Sequence, residues 1–395
     1  MNAEHYFDWA ATAPANTDIQ KEAFELSLQH WANPSSQHQA GIEEKKCLSQ
    51  ARERCAKAMG VKAEQLYFTS GGTESDHIPL LSVLTRPQKG SVLISGIEHP
   101  ALREMAKNLE LCGWHVITVA PDKNGFVTAD AVEEKLQDDT AFVTVMAVNN
   151  ETGAIQPIYE IADMLCQHGK TRRKPFFHVD CVQAAGKIEL DITYRGIDSA
   201  AFSAHKLGGP RGIGLLYLAK EITPFLKGGG QERNIRSGTE NLFGAQAMAL
   251  CMEKYFVRKG KEQDNNVMFE RMNEQRRVTA QFIEALRTIP GCTIIPHERG
   301  LSISEDFFSP WIVQAAFKGI PGQVLVRAMS ADGYYISTGS ACSAAKASRP
   351  ILDAMQVSPE EKEDAVRFSF GASTTTQAMK DLFDETVFQS AKFVH

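Results

Sequence analysis

Short, almost wholly apolar runs alternate along the chain with longer stretches in which apolar residues recur every three or four positions. The apolar runs fall at 65–69, 91–95, 115–119, 141–148 and 176–179. A strand with one wet face would alternate apolar and polar positions, so unbroken runs predict strands buried on both faces. Helical periodicity lies around them, near 18–30, 39–59, 99–111, 128–138 and 157–168. Phe24 and Leu28 share one face of the first helix, and Gly60 stops the second. Two more apolar runs flank a Gly-rich turn within 201–217. Strands separated by helices predict an α/β fold, a large domain whose mainly parallel sheet is covered by helices on both faces.

After residue 240 the pattern changes. A helical stretch spans 241–287, with a polar break at 258–264. Strands follow at 292–295 and 311–317, then a helix at 323–331, an extended stretch at 334–337, a strand at 366–370 and a last helix capped by Thr374. This predicts a second, smaller α+β domain. The boundaries drawn are 14–262 for the large domain, and 1–13 with 263–395 for the small one.

Composition narrows the function classes. Hydrophobic residues are 43% and charged residues 23% of 395, as in ordinary globular proteins. A formal net charge of −6 argues against a nucleic-acid surface. No apolar run approaches the roughly 20 residues that span a bilayer. The first residues lack a basic stretch followed by an apolar one, so a cytoplasmic protein is expected. The eight cysteines include no Cys-x-x-Cys pair and no zinc-like spacing with histidine, so no metal site is expected. Free thiols, mostly small core residues, are the expectation.

In parallel sheets ligands bind beyond the carboxyl ends of the strands. The polar residues at those ends are therefore the candidate chemistry. Ser70-Gly71-Gly72-Thr73 can present backbone N–H groups to a phosphate at a helix start, although Thr73 serves equally as an N-cap. Glu98-His99 offers a ring at another strand end, or a histidine that merely opens a helix. Asn149 reads better as a turn residue than Asn150. Asp180 suits a pyridine nitrogen, and equally a helix beginning near Cys181. In Ser203-Ala204-His205-Lys206, neighbouring cations favour a neutral amine, which can form a Schiff base with a carbonyl such as that of pyridoxal phosphate. Lys227–Glu240 is too Gly-rich for an element and too charged for a core, so it reads as a functional loop. Cys342 stands apart from the other cysteines, among small, polar and basic residues that favour its thiolate. Arg367, on an alternating strand, has the donor geometry to clamp a carboxylate, or is a surface arginine.

Taken in order, these motifs resemble the cysteine desulfurases that feed iron–sulfur cluster assembly, pyridoxal phosphate enzymes of the class V aminotransferase group. The resemblance covers nearly the whole chain. It rests on Asn33-Pro-Ser-Ser-Gln-His38, Phe68-Thr-Ser-Gly-Gly-Thr-Glu-Ser75, Val148-Asn-Asn-Glu-Thr-Gly153, His178-Val-Asp-Cys-Val-Gln183, Ser203-Ala-His-Lys206, Arg236-Ser-Gly-Thr239, Ser340-Ala-Cys342 and Arg367-Phe-Ser-Phe-Gly371. The resemblance implies that Lys206 carries the cofactor covalently and later moves protons. Asp180 holds its ring nitrogen, Gln183 meets the ring hydroxyl and His99 stacks on the ring. Gly72, Thr73, Ser203 and His205 hold the phosphate, and Thr239 reaches the phosphate of the other subunit of a homodimer. Asn150 and Arg367 grip the carboxylate of L-cysteine. Cys342 takes the sulfur as a persulfide, alanine leaves, and an acceptor protein such as an iron–sulfur scaffold receives the sulfur. A selenocysteine lyase, another class V enzyme and a non-catalytic sulfur-relay subunit are the alternatives. The chain departs from the family at Trp9, at Cys181-Val182, at Lys346-Ala-Ser-Arg349 where an acidic, Leu-containing loop is usual, and at Ala372. It stops at His395, where scaffold-binding members often carry a longer tail.

Overall fold

The computed structural model describes residues 3–339 and 349–393; Cys342, Lys346 and their neighbours lie outside the described residues. The apolar runs become β1 (Leu66–Thr69), β2 (Ser91–Ser95), β3 (His115–Val119), β4 (Thr140–Thr144), β5 (Phe176–Asp180), β6 (Ser199–Ser203) and β7 (Gly214–Leu218). Among the described residues these form one sheet in the order β1-β7-β6-β5-β4-β2-β3. Only β7 runs against its neighbours, β1 and β6. The other pairings are parallel, so β1, β2, β4, β5 and β6 end along one edge. The expected strand at 141–148 is shorter than its apolar run. Val145–Val148 are buried without belonging to the strand.

Helices α1 (Thr17–Gln29), α2 (Gln39–Met59), α3 (Gly72–Leu81), α4 (Pro100–Leu111), α5 (Ala129–Lys135) and α6 (Ile158–His168) lie between or before these strands. Gly60 ends α2 with φ +73°, the left-handed turn that glycine adopts without strain. Helix α7 (Leu242–Tyr255) and α8 (Asn266–Leu286) confirm an interrupted helical stretch. The break runs over 256–265, wider than its charged residues alone suggested, because Leu190 pairs with the backbone of Val257 and Lys259.

A second sheet, β8 (Cys292–Ile295), β9 (Ile312–Phe317) and β10 (Ala365–Ser369), is antiparallel in the order β10-β9-β8. Helix α9 (Gly322–Ala331), the short α10 (Pro350–Ala354) and α11 (Pro359–Asp364), and α12 (Thr376–Ala391) complete it. The cap of α12 is Thr375, not Thr374; the Thr374 hydroxyl instead accepts from the Gly371 N–H. The stretch 334–337 makes only isolated bridges, Tyr335 to Tyr6 and Ser337 to Arg367. Each sheet has its own apolar core, one including Leu93, Val143, Phe177 and Phe202, the other Phe282, Val313, Phe368 and Phe370. Among the described residues no helix is long and apolar enough to cross a membrane. Cys47, Cys55, Cys181 and Cys251 are buried as expected, whereas Cys112 is exposed.

The N-terminal segment joins the two sheets. Phe7 donates to the Tyr335 carbonyl at 2.8 Å, and its own carbonyl accepts from Ser369 on β10 at 2.8 Å. Six residues on, Ala13 N–H donates to the His205 carbonyl at 2.9 Å. Trp9, between them, lies on Gly371, where any side chain would overlap the indole ring. The bulky residue at position 9 is thus accommodated by a missing one at 371. Gly371→Ala is expected to lower stability by about 1–3 kcal/mol, the usual cost of overpacking. Thermal melting checks this; an unchanged midpoint would mean that Trp9 has room to move.

Candidate active site

Five strand ends converge on one cavity of about 270 Å3. After β1, Gly71 is the N-cap of α3 and brings no capping side chain, so Thr73 does not cap the helix. Gly72 lies so close to the ends of β5 and β6 that a Cβ there would sit 2.7 Å from Val182 and 3.7 Å from Ser203. Gly72, Thr73, Ser203 and His205 line this end of the cavity. Uncapped N–H groups beside two hydroxyls form a cradle for an anion.

Beyond β6, Lys206 sits in a 3-10 turn. Its amine donates to the carbonyls of Ala10 and Ala11, both at 2.7 Å. Asp180 ends β5. One of its oxygens accepts from Val182 N–H at 2.8 Å, so it does close a local turn, and it also lines the cavity. No helix begins near Cys181, so Asp180 closes a turn there and is not a helix N-cap. Burial first, and then the charge of Asp76, push its carboxyl up to about 8. A cation in the cavity would reverse that shift, because an opposite charge favours the carboxylate.

His99 follows β2 and caps α4, accepting from Ala101 N–H at 3.2 Å while lining the cavity. Burial, and next the nearby Lys206, hold it down to about 4, so the ring is neutral near pH 7. His205 is held down to about 4 in the same way. Asn149 is the turn residue after β4, its oxygen accepting from Glu151 and Thr152 N–H, both at 2.9 Å. Asn150 lines the cavity. Arg367 reaches in from β10 and is buried, so it is not a surface arginine. Its guanidinium donates to the Asn150 carbonyl at 2.8 Å and to Asp8 at 2.7 Å. The Asn150 Oδ1 and the Arg367 Nε are buried without a hydrogen-bond partner among the described residues. Buried polar atoms of this kind call for a ligand.

Gln183 lines the cavity, with its amide nitrogen donating to the Ala10 carbonyl at 2.8 Å and its oxygen accepting from Lys187. Thr239 is exposed and is not among the lining residues. Cys342 lies outside the described residues.

A family model for the class-V aminotransferases matches residues 5–382. The chain belongs to the class-V aminotransferase family. Enzymes of this family use pyridoxal phosphate in general. A cysteine desulfurase IscS of Dictyoglomus turgidum is 32% identical over 97% of this chain and 94% of its own length. A putative cysteine desulfurase IscS 1 of Bacillus subtilis is 33% identical over 95% of each. Among solved structures, a NifS-like protein is 30% identical with a TM-score of 0.86, covering 98% of this chain and 99% of its own. SspA, solved in complex with cysteine, is 26% identical with a TM-score of 0.77, covering 94% and 100%.

This class-V aminotransferase also buries charged groups around the cavity: Asp76 and Lys187, which sequence reasoning missed, and Glu98, which it named only beside His99 at a strand end. Asp76 lines the cavity and pairs with His178 at 3.1 Å, whose other nitrogen meets the Ser199 hydroxyl at 2.7 Å. Burial raises the carboxyls of Asp76 and Glu98. The Lys187 amine is lowered well below the usual lysine range, by burial and then by Lys206. Asp76 stands one turn after Thr73 on α3, a spacing that marks it as a neighbour of the same site.

Proposed function

We propose that the protein is a pyridoxal phosphate-dependent cysteine desulfurase, converting L-cysteine to L-alanine and passing the sulfur to Cys342 as a persulfide. The observation that carries this reading is the convergence of Lys206, Asp180, His99, Asn150 and Arg367 on one cavity. The residues present suit the cofactor. The Gly72–Thr73 cradle fits its phosphate, and Asp180 fits a ring nitrogen that keeps its proton. When bound, the cofactor supplies an electron-withdrawing ring that stores the electrons released from the substrate.

Lys206 would hold the cofactor and move protons at its Nζ, which two carbonyls of the N-terminal segment keep in place. Ser203 and His205 would assist in holding the phosphate, and Gln183 would bind the ring hydroxyl. His99, neutral near pH 7, would pack on the ring. The unpartnered atoms of Asn150 and Arg367 receive the substrate carboxylate, for which a planar two-pronged donor is well matched. Thr239, exposed here, completes the phosphate site of the other subunit in a homodimer. The exposed Phe24, Leu28 and Trp31 on and after α1 are in keeping with a surface that a second copy covers. The protein works in the cytoplasm and delivers sulfur to an acceptor such as an iron–sulfur scaffold.

Exposure to L-cysteine should release alanine and add one sulfur to the peptide containing Cys342, as read by mass spectrometry. Cys342→Ser should keep the absorbance of the bound cofactor and lose turnover. Unchanged sulfide release in that variant would remove Cys342 from the reaction. Faster turnover of L-selenocysteine than of L-cysteine would favour a selenocysteine lyase instead.

A further inference from the structure

Lys187 is buried, 7% exposed, yet among the described residues no carboxylate pairs with it. Burial, and then the charges of Lys206 and Arg367, hold its amine well below the usual lysine range. The residue is fixed at both ends. Its backbone carbonyl accepts from the Trp311 indole N–H at 2.8 Å, and its amine donates to the Gln183 Oε1. The Gln183 amide is clamped on its other side too, where Nε2 donates to the Ala10 carbonyl at 2.8 Å. That carbonyl also accepts from the Lys206 amine at 2.7 Å. Lys187, Gln183, Ala10 and Lys206 thus form one hydrogen-bonded chain. Its first member lines a neighbouring cavity of about 360 Å3, and the other three line the candidate cofactor cavity.

An amide oxygen can only accept a hydrogen bond, and an amide nitrogen can only donate. The Ala10 carbonyl accepts, so it admits only the nitrogen of Gln183, and the Lys187 amine meets the oxygen. One orientation of the amide satisfies both neighbours, and it leaves the second hydrogen on Nε2 over. Gln183 is 4% exposed and lines the cavity, so that hydrogen is available to a ligand there. We propose that Lys187 is a positioning residue for the cofactor: its amine holds the oxygen of the Gln183 amide and so turns the spare hydrogen of the amide nitrogen to the ring hydroxyl. The inference rests on the reading above that pyridoxal phosphate occupies the cavity.

The physical reason is the cost of an unmet acceptor. Without Lys187 the Gln183 oxygen would be buried with no donor, and the amide would turn to find one. The ring hydroxyl would then lose its donor, or face an oxygen instead. A donor at the ring oxygen stabilises negative charge there and weakens its hold on a proton. An uncharged amine suits this task, because it adds no further cation beside Lys206 and Arg367. An arginine would not serve, since it keeps its charge in proteins.

The experiment compares the full-length wild type with Lys187→Met, Gln183→Leu and the double variant, each titrated with pyridoxal phosphate. Methionine nearly matches the length of the lysine chain, so Lys187→Met should melt within a few degrees of wild type. Its dissociation constant for the cofactor should rise roughly 5- to 20-fold, the loss of about one hydrogen bond. The double variant should bind no more than about twofold weaker than Gln183→Leu, because Lys187 acts through Gln183. The pH midpoint of the bound cofactor's absorbance should rise by about 0.5–1 unit in both single variants, a shift that lost packing alone would not cause. Losses that multiply in the double variant would overturn the proposal, and so would an unmoved midpoint in Lys187→Met. An unmoved midpoint in Gln183→Leu would overturn it as well, whether or not the lysine variant folds. If wild type takes up no pyridoxal phosphate, the cofactor reading has failed and the proposal falls with it. Uptake by wild type, with variants that match it, overturns the proposal alone.

Discussion

Replacing Lys206 with alanine is expected to end turnover, lowering it by roughly three orders of magnitude or more, as removal of a covalent catalytic group does. The variant should also fail to show the absorbance of covalently held cofactor. Unfolding would be a trivial cause, and the contacts argue against it. The amine donates to two carbonyls, but the Ala10 oxygen keeps the Gln183 amide and the Ala11 oxygen keeps the Thr12 hydroxyl. Losing these two hydrogen bonds from already bonded carbonyls costs about 2 kcal/mol, too little to unfold a domain. The melting temperature should therefore change by only a few degrees. Lys206→Arg should be equally inactive, since a guanidinium does not give up its proton in proteins. Substantial turnover in either variant would remove Lys206 from its role.

Asp180→Asn should have two effects of opposite sign. In the protein without cofactor, the Asp180 carboxyl is raised from 3.8 to about 8, by burial and then by Asp76. The folded state thus binds this proton more tightly than the unfolded chain does. The resulting stability is fully present below pH 4 and is lost progressively as the pH rises through about 8. Asparagine resembles the protonated form and keeps the acceptor for Val182 N–H. The variant without cofactor should melt like wild type at pH 4 and above it at pH 8 to 9, by on the order of a few kcal/mol. With cofactor the balance reverses, because the ring nitrogen loses its anionic partner. The variant should release cofactor more readily on dialysis and turn over roughly 100-fold more slowly or worse. A melting temperature at pH 9 below that of wild type would show that the buried charge is not the cost assigned to it.

How much of this was visible in the sequence differs from element to element. The strands of the large sheet were legible because both faces are covered, which leaves an apolar run with little alternation. The same cause hid the end of β4. Val145–Val148 are as buried as the strand itself, and periodicity cannot separate a buried strand from a buried turn. Ala147 even continues the pairing, donating to the Asp180 carbonyl at 2.8 Å. Cap assignment slipped by one residue at α12, where Thr374 and Thr375 have the same chemistry and only backbone geometry chooses between them. Strand-end positions pointed to Asp180, His99 and Lys206, because a parallel sheet gathers its carboxyl ends along one edge. Asp76 and Lys187 escaped notice, and Glu98 was read only as the neighbour of His99. A charged residue inside a helix or turn reads as solvated until its neighbours are known, and those neighbours come from other strands. The contacts of Asp8, Ala10 and Ala11 were equally hidden. A short segment before a proline carries no period; the boundaries drawn put 1–13 with the small domain, but nothing in the sequence pointed to β10 or to Lys206 as its neighbours.

That segment has a consequence for how the enzyme is made. Asp8 holds Arg367, and Ala10 holds Lys206, so residues 359 and 196 positions apart in the chain close the same pocket. A nascent chain still on the ribosome can assemble the large sheet, since early domains fold as they emerge, but its reactive centre stays unfinished. Catalytic competence then arrives only once Arg367 has emerged and docked on Asp8. A product truncated before Arg367 would not liberate sulfur, and a mutation that frees the N-terminal segment should disarm the enzyme while leaving most of its bulk folded.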